Sequence, residues 1–285
     1  MTRVEFHKYH ALGNDYLVLP GLGAETPSPE MVSRICDRHH GVGSDGLLLP
    51  AGRDSAGHFI LRIFNPDGSE AEKSGNGLRI FARYLWDQRE IGAEPFGVAT
   101  KGGVVRCEVR DQGQAVFVEM GQASFHSERI PVTGPPREVI NEVLQVQGEN
   151  LRITAVTIGN PHCVSFMTKV SRALVEKLGP AVEKHTRFPN RTNVQLAQVV
   201  SRNHLLLEIW ERGAGYTLAS GSSSCAAACA AVRQGLCDSP VTVEMPGGKL
   251  TIQVAEDFTV TMLGPVTRVA DGDLDGECLA WPAQS

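Results

Sequence analysis

Several familiar signatures are missing from this chain. No apolar run approaches the roughly 20 residues of a membrane helix, so no membrane partner is expected. The opening residues, "MTRVEFHKYH", hold no signal-peptide core. Basic residues are not in excess: 27 Lys and Arg stand against 32 Asp and Glu, a net charge of −5. That balance gives no support for a nucleic-acid partner or an anionic membrane surface. The seven cysteines (36, 107, 163, 225, 229, 237 and 278) are odd in number and scattered, which is no disulfide framework. A cytoplasmic, reducing location is the natural expectation.

Common catalytic signatures are absent too. "GGK" at 247–249 lacks both the leading spacing and the following Ser or Thr of a phosphate-binding P-loop. "LASGS" around Ser220 is not G-x-S-x-G, which argues against a hydrolase nucleophile elbow. Cys225 and Cys229 are four apart on a helix, but with alanine around them they read as core packing. The His39-His40 pair has no second His or carboxylate pair at ligand spacing, so no metal site is expected.

What is present is 285 residues, 42% hydrophobic and 21% charged, enough for one large folded domain or two ordinary ones. Two stretches look alike: "AEKSGNGLRIFARYL" at 71–85 and "TLASGSSSCAAACAAV" at 217–232. Each puts a Ser-Gly pair before an apolar helix, and the serines, Ser74 and Ser220, lie 146 residues apart. Leu61-x-Ile63 falls on Leu207-x-Ile209 at the same offset, and Gly13-Asn14 falls on Gly159-Asn160. Three coincidences at one register predict a tandem duplication.

Each half offers an opening strand ("YLVL"; "HCVSFM"), a second strand ("FILRIF"; "LLLEIW"), a glycine-rich loop, a buried helix and further strands. The expected fold is mixed α/β, with two pseudo-symmetric halves that each wrap a sheet around a central helix. The expected domains are 1–122 with 269–285, and 123–268, the polar stretch 124–150 being the handover. A buried helix whose first turn is Gly- and Ser-rich presents unsatisfied N–H groups and its positive dipole end, suited to a carboxylate or phosphate. Taken singly, Ser74 or Ser220 would be an ordinary N-cap.

The motifs resemble those of the diaminopimelate epimerases and their relatives, which invert amino-acid stereocentres without pyridoxal phosphate. "KYHALGNDYLVL", "DRHHGVGSDGLLL", "RIFNPDGSEAEKSGNG", "IGNPHCV", "RTNVQ" and "ERGAGYTLASG" resemble the family's blocks in order, over almost the whole chain. The resemblance implies an active site in the cleft between two halves and no metal or organic cofactor. It also implies a small-molecule amino-acid substrate and two bases, one removing the α-proton while the other delivers a proton to the opposite face.

In the family both bases are cysteines; here Ser74 and Ser220 occupy those positions. A cysteine thiol has a pKa near ~8.5 that a helix N-terminus can lower, whereas a serine hydroxyl needs a dedicated base beside it. The expectation is an inactive or severely impaired form carrying Cys→Ser at both positions, made to hold ligand without turnover or to prevent a disulfide. A naturally serine-bearing relative is the alternative. The resemblance also gives Asn14, Asn65, Asn160 and Asn193 as substrate-binding asparagines, and Arg212 as a clamp on a distal carboxylate. Glu211 would take an ammonium or support acid–base chemistry, and His162 would assist proton movement. Backbone N–H groups of Gly75, Asn76, Gly221 and Ser222 would hold the α-carboxylate, where negative charge grows.

Three departures bear on the substrate. Gly46 stands where the family commonly has glutamine, Tyr216 replaces the second glutamate of "ERGAGET", and "GSSS" replaces a "GTGA"-like turn. Racemases of O-ureidoserine or histidine are therefore alternatives to a diaminopimelate enzyme. A catalytically dead amino-acid-binding protein is the alternative of another class, an isomerase or dehydratase on the same fold a weaker one. A homodimer is compatible with the sequence.

Overall fold

The structure is a computed structural model that describes residues 3–22 and 26–280. The chain forms two compact units, one running up to Val118 and resuming at Gly264, the other spanning Glu119–Leu263. In the first unit the order is β1 (Val4–Ala11), β2 (Asn14–Val18), α1 (Pro29–Cys36), β3 (Leu47–Arg53), β4 (Phe59–Phe64), β5 (Glu70–Ala71), α2 (Gly75–Asp87), β6 (Phe96–Thr100), β7 (Gly103–Arg110) and β8 (Ala115–Gln122). In the second it is β9 (Glu142–Val146), β10 (Glu149–Thr157), β11 (Pro161–Phe166), α3 (Arg172–Glu183), β12 (Asn193–Ser201), β13 (His204–Glu211), β14 (Gly215–Thr217), α4 (Gly221–Arg233), β15 (Val241–Met245), β16 (Gly248–Val254) and β17 (Thr259–Pro265). After β17 the first unit gains β18 (Thr267–Leu274) and the short α5 (Gly276–Ala280).

The strands of the two units share one wiring. In the first, the order β18-β1-β2-β3-β4-β6-β7-β8 is antiparallel except for the parallel pairs β2/β3 and β4/β6, with β5 added to β4. In the second, β9-β10-β11-β12-β13-β15-β16-β17 is antiparallel except for β11/β12 and β13/β15, with β14 added to β13. Parallel neighbours need a crossover, and the four crossovers are α1, α2, α3 and α4. Helices α2 and α4 are both 13 residues long, and both their starts (75, 221) and their ends (87, 233) are 146 apart.

Local chemistry explains the elements. Gly13 (φ 88°) turns β1 into β2, and Gly159 (φ 103°) turns β10 into β11, each through a conformation that favours glycine. Leu47, Leu48 and Leu49 are all fully buried, as expected for a strand covered on both faces. Val105, Cys107 and Val109 alternate inward along β7. Ser28 caps α1 by accepting the Met31 N–H at 3.2 Å, and Ser171 caps α3 through Leu174 N–H at 3.3 Å. The central helices are buried almost throughout, including Gly75–Ala82 in α2 and Ser223–Ala231 in α4.

Residues 124–150 are not a solvated handover. Ile130, Val132, Val139, Leu144 and Val146 are buried in the second unit's core with Leu178, Val194 and Leu196. Their spacing is irregular because much of the segment lacks regular structure, so no period betrays them. Among the described residues no helix is long and apolar enough to cross a membrane.

Candidate active site

In the first unit the site grows from the mouth of α2. Ser74 is extended (φ −137°, ψ 118°), and its Oγ accepts the Gly77 N–H at 3.0 Å. The N–H groups of Gly75 and Asn76 precede it in the first turn, where the helix's positive end lies. Asn76 Nδ2 donates to Asn14 Oδ1 at 2.9 Å, and Asn14 Nδ2 donates to Asp45 Oδ2 at 2.9 Å. Fully buried Arg79 donates to Asn76 Oδ1 at 2.8 Å, and Arg38 donates to Asp45 Oδ1 at 2.8 Å. A guanidinium at each end and a carboxylate in the chain fix the orientation of both amides. Asn14 and Asn76 thus spend part of their capacity on each other, which makes them a scaffold as much as a binding surface. Sequence reasoning missed Arg79 and Asp45; a lone Arg inside "GLRIFARYL" was the available signal, since Arg is rarely fully buried without partners.

Asn65 stands apart from that chain. It is exposed, its Nδ2 donates to Ser69 Oγ at 3.0 Å, and its backbone closes the turn to Ser69 and Gly68. Its Nδ2 serves its own turn.

Gly46 is glycine for a packing reason. A Cβ there would lie 2.5 Å from the Phe64 carbonyl oxygen and 2.7 Å from Tyr16 Cε1. The glutamine common in the family could not stand here without displacing the Tyr16 ring, whose hydroxyl lies 3.3 Å from Ser74 Oγ.

In the second unit the mouth of α4 is built differently. Ser220 has nearly the same backbone (φ −145°, ψ 126°) but its hydroxyl makes no cap bond. Its carbonyl is held instead, accepting the Ser224 hydroxyl at 2.8 Å and the Ser224 N–H at 3.1 Å. Gly221 is buried and Ser222 half-buried at the start of the helix. Asn160 and His162 flank the start of β11, with His162 Nε2 2.9 Å from Asn160 Oδ1. Gln195 Nε2 donates to His162 Nδ1 at 3.0 Å and to Ser223 Oγ at 2.9 Å. An accepting Nδ1 assigns the neutral tautomer with hydrogen on Nε2, which donates to Asn160.

Complete burial, with the Arg212 charge adding to it, pushes His162 down to about 3. The neutral ring thus holds Asn160 through Nε2 and is itself held through Nδ1 by Gln195. Asn193 donates to the Pro161 carbonyl at 2.8 Å and accepts the Arg212 N–H at 3.0 Å. It therefore ties β11, β12 and the turn after β13 together.

Arg212 is exposed in that turn, with one guanidinium N–H on the Asn190 carbonyl at 3.3 Å, and Glu211 ends β13 beside it. Buried Glu183 braces the turn by accepting Gly213 N–H at 3.0 Å and the Trp210 indole at 2.8 Å. Tyr216 takes no place beside Arg212: it packs on the core, lies 4.5 Å from the Arg172 guanidinium and donates to Glu208 at 3.1 Å.

Six of the seven cysteines are buried, and burial raises Cys36, Cys237, Cys229 and, to about 12, Cys163, away from thiolate. Among the described residues no three His, Cys, Asp or Glu side chains are grouped to hold a metal.

The architecture is that of the amino-acid epimerase and racemase folds. A crystal structure of a hydroxyproline epimerase from Agrobacterium vitis superposes with a TM-score of 0.72 over 99% of this chain and 95% of that one, at 13% identity. A phenazine biosynthesis protein of the PhzF family from Bacillus anthracis gives 0.67 over 96% and 99%, at 16% identity. Identities so low establish the fold alone.

The family follows from sequence: the model described as diaminopimelate epimerase matches residues 6–126 and 154–269, and this chain belongs to that family. "Diaminopimelate epimerase 2" of Nostoc sp. is 51% identical over 278 residues, 97% of this chain and 98% of that one. The diaminopimelate epimerase of Desulfitobacterium hafniense is 42% identical over 284 residues, covering 97% and 100%.

Proposed function

We propose that this chain inverts the α-carbon of diaminopimelate or a close analogue in the cytoplasm, without an organic cofactor, using Ser74 and Ser220 in the places of two bases. The observation that carries the reading is the pair of extended serines at the N-terminal mouths of equal 13-residue helices, at a fixed offset of 146 residues. The α-carboxylate would sit on the N–H groups of Gly75, Asn76, Gly221 and Ser222, which oppose the negative charge that grows as the α-proton leaves. Arg212 would bind a distal carboxylate in bidentate fashion, and Glu211 the ammonium beside it. Asn14, Asn65, Asn160 and Asn193 would orient the remaining polar groups.

Serine makes this site slow. An alcohol holds its proton far more tightly than a thiol, while acid–base catalysts work best with a pKa near the operating pH. The reading is thus of an intact pocket with an impaired proton step, as a Cys→Ser form would have. The test is α-deuterium incorporation in D₂O with meso-diaminopimelate, O-ureidoserine and histidine. Ser74→Cys/Ser220→Cys is expected to raise exchange of one of them by about a hundredfold or more. If that double variant exchanges none of them, the epimerase reading fails and a binding protein takes its place.

A further inference from the structure

We propose that Tyr16 is the proton acceptor behind Ser74, the two hydroxyls working as a hydrogen-bonded pair where a single acidic group would otherwise serve. This rests on the epimerase reading above.

The geometry is local to one unit. The Tyr16 hydroxyl is 3.3 Å from Ser74 Oγ. Ser74 Oγ already accepts the Gly77 N–H at 3.0 Å, so its own hydrogen can point at the phenol oxygen. Tyr16 is placed there by its pairing with Tyr9 across β1 and β2 and by Leu17 N–H on the Gly46 carbonyl at 3.2 Å. Residue 46 has no side chain, and a Cβ there would sit 2.7 Å from the Tyr16 ring. The Gly46 departure and the Tyr16 hydroxyl are thus one feature: the glycine makes room for the ring that reaches Ser74.

The surroundings favour an anion at this pair. The first turn of α2 supplies its positive dipole end. Arg79 lies fully buried just beyond that turn, and Arg83 further along α2 is paired with Asp87 at 2.9 Å. On β1, Tyr9 faces Tyr16 and gives its hydrogen to Asp87 at 2.9 Å, while Lys8 is bound to Asp15 at 2.9 Å. Before β3, Asp45 is bound to Arg38 at 2.8 Å, which also holds Asp15 at 2.7 Å. Each of these carboxylates is matched by a hydrogen-bond donor or a cation.

The step balances within the pair. The Cα–H bond breaks and its electron pair stays on the α-carbon, spread into the substrate carboxylate. The proton goes to Ser74 Oγ as the Ser74 hydrogen passes to the Tyr16 phenolate. In D₂O the neutral phenol exchanges with solvent, and the reverse step returns a deuteron to carbon. An alcohol–phenol pair takes up a proton readily only once one of its oxygens has lost its hydrogen, so the native chain is expected to be slow at neutral pH and to speed up as the solution becomes more basic.

The experiment is α-deuterium incorporation into diaminopimelate between pH 7 and 10.5. It compares the native chain, Tyr16→Phe, Ser74→Ala and Ser74→Cys/Ser220→Cys, each checked for folding by circular dichroism. The expected result is exchange by the native chain that rises with pH, about a hundredfold less in Tyr16→Phe, and no pH rise left in that variant. A uniform loss in Tyr16→Phe with the pH rise intact would mean that the phenol only packs, and would overturn the proposal. So would native exchange that Tyr16→Phe leaves unchanged, or exchange by the double-cysteine variant with none by the native chain. Absence of exchange from every form, the double-cysteine variant included, would overturn the epimerase reading itself.

Discussion

The two helix mouths have one backbone and two chemistries. Ser74 and Ser220 differ by less than 10° in both φ and ψ, yet only Ser74 caps its helix through its hydroxyl. The positions around them diverge at the same register. Tyr16 corresponds to His162, Asn76 to Ser222, Gly77 to Ser223 and Arg79 to Cys225. In the first unit the polar chain runs through α2 itself, from Arg79 to Asn76 and Asn14. In the second it runs from a strand, with Gln195 reaching both His162 and Ser223. Duplication preserved the sheet wiring and the helix lengths because burial and strand pairing demand them. It left the hydrogen-bond partners at the mouths free to part, since many sets of partners satisfy the same backbone.

The sharpest way to break that comparison is to give α2 the residue that α4 carries. Arg79→Cys removes a fully buried guanidinium that donates to Asn76 Oδ1, and opens a cavity. The expected loss is about 3 kcal/mol of stability, read by chemical denaturation. A loss below ~1 kcal/mol would show that the Arg79–Asn76–Asn14 chain is not what sets the first unit's mouth.

Acid separates the two units next. His162 is held near 3, below its unfolded value of about 6.5, so folding favours the neutral ring. Its contribution is complete above the unfolded pKa and is lost as pH falls from about 6.5 towards 3. Between pH 6.5 and 4.5 that amounts to about 2 kcal/mol. Denaturant unfolding of the native chain and of His162→Gln across this range should show that loss in the first and not in the second. Equal slopes would contradict the buried neutral ring.

Much of this was legible in the sequence, for physical reasons that differ by feature. The offset of 146 residues was readable because Gly13, Gly159 and the Ser-Gly pairs are punctuation that the backbone requires. The buried helices were readable because apolar residues surround their axes. The core role of Ile130, Val132 and Val139 was not, because irregular backbone carries no period. At the site, residue types could be picked out, but not what each was bonded to. That Asn193 is also tied to Pro161 and Arg212 shows only in tertiary contact. The tautomer of His162 is set by Gln195, which lies 33 residues away in sequence.

The smallest effect tests the serines themselves. Ser74→Ala removes an oxygen that caps Gly77 at 3.0 Å, and a lost N-cap costs about 1 kcal/mol. Ser220→Ala removes an oxygen that caps nothing, so the change should stay within about 0.5 kcal/mol. The two variants differ from the native chain by the same single atom at matching places in matching helices, so any difference between them belongs to the hydroxyl's partners. Denaturation midpoints at equal slope measure it directly. Equal losses would mean that Ser220 Oγ supports its helix after all and that the two mouths are alike. A loss confined to Ser74 would mean that the first serine is bound into the fold while the second is held only by its backbone, poised to give its hydroxyl to a ligand.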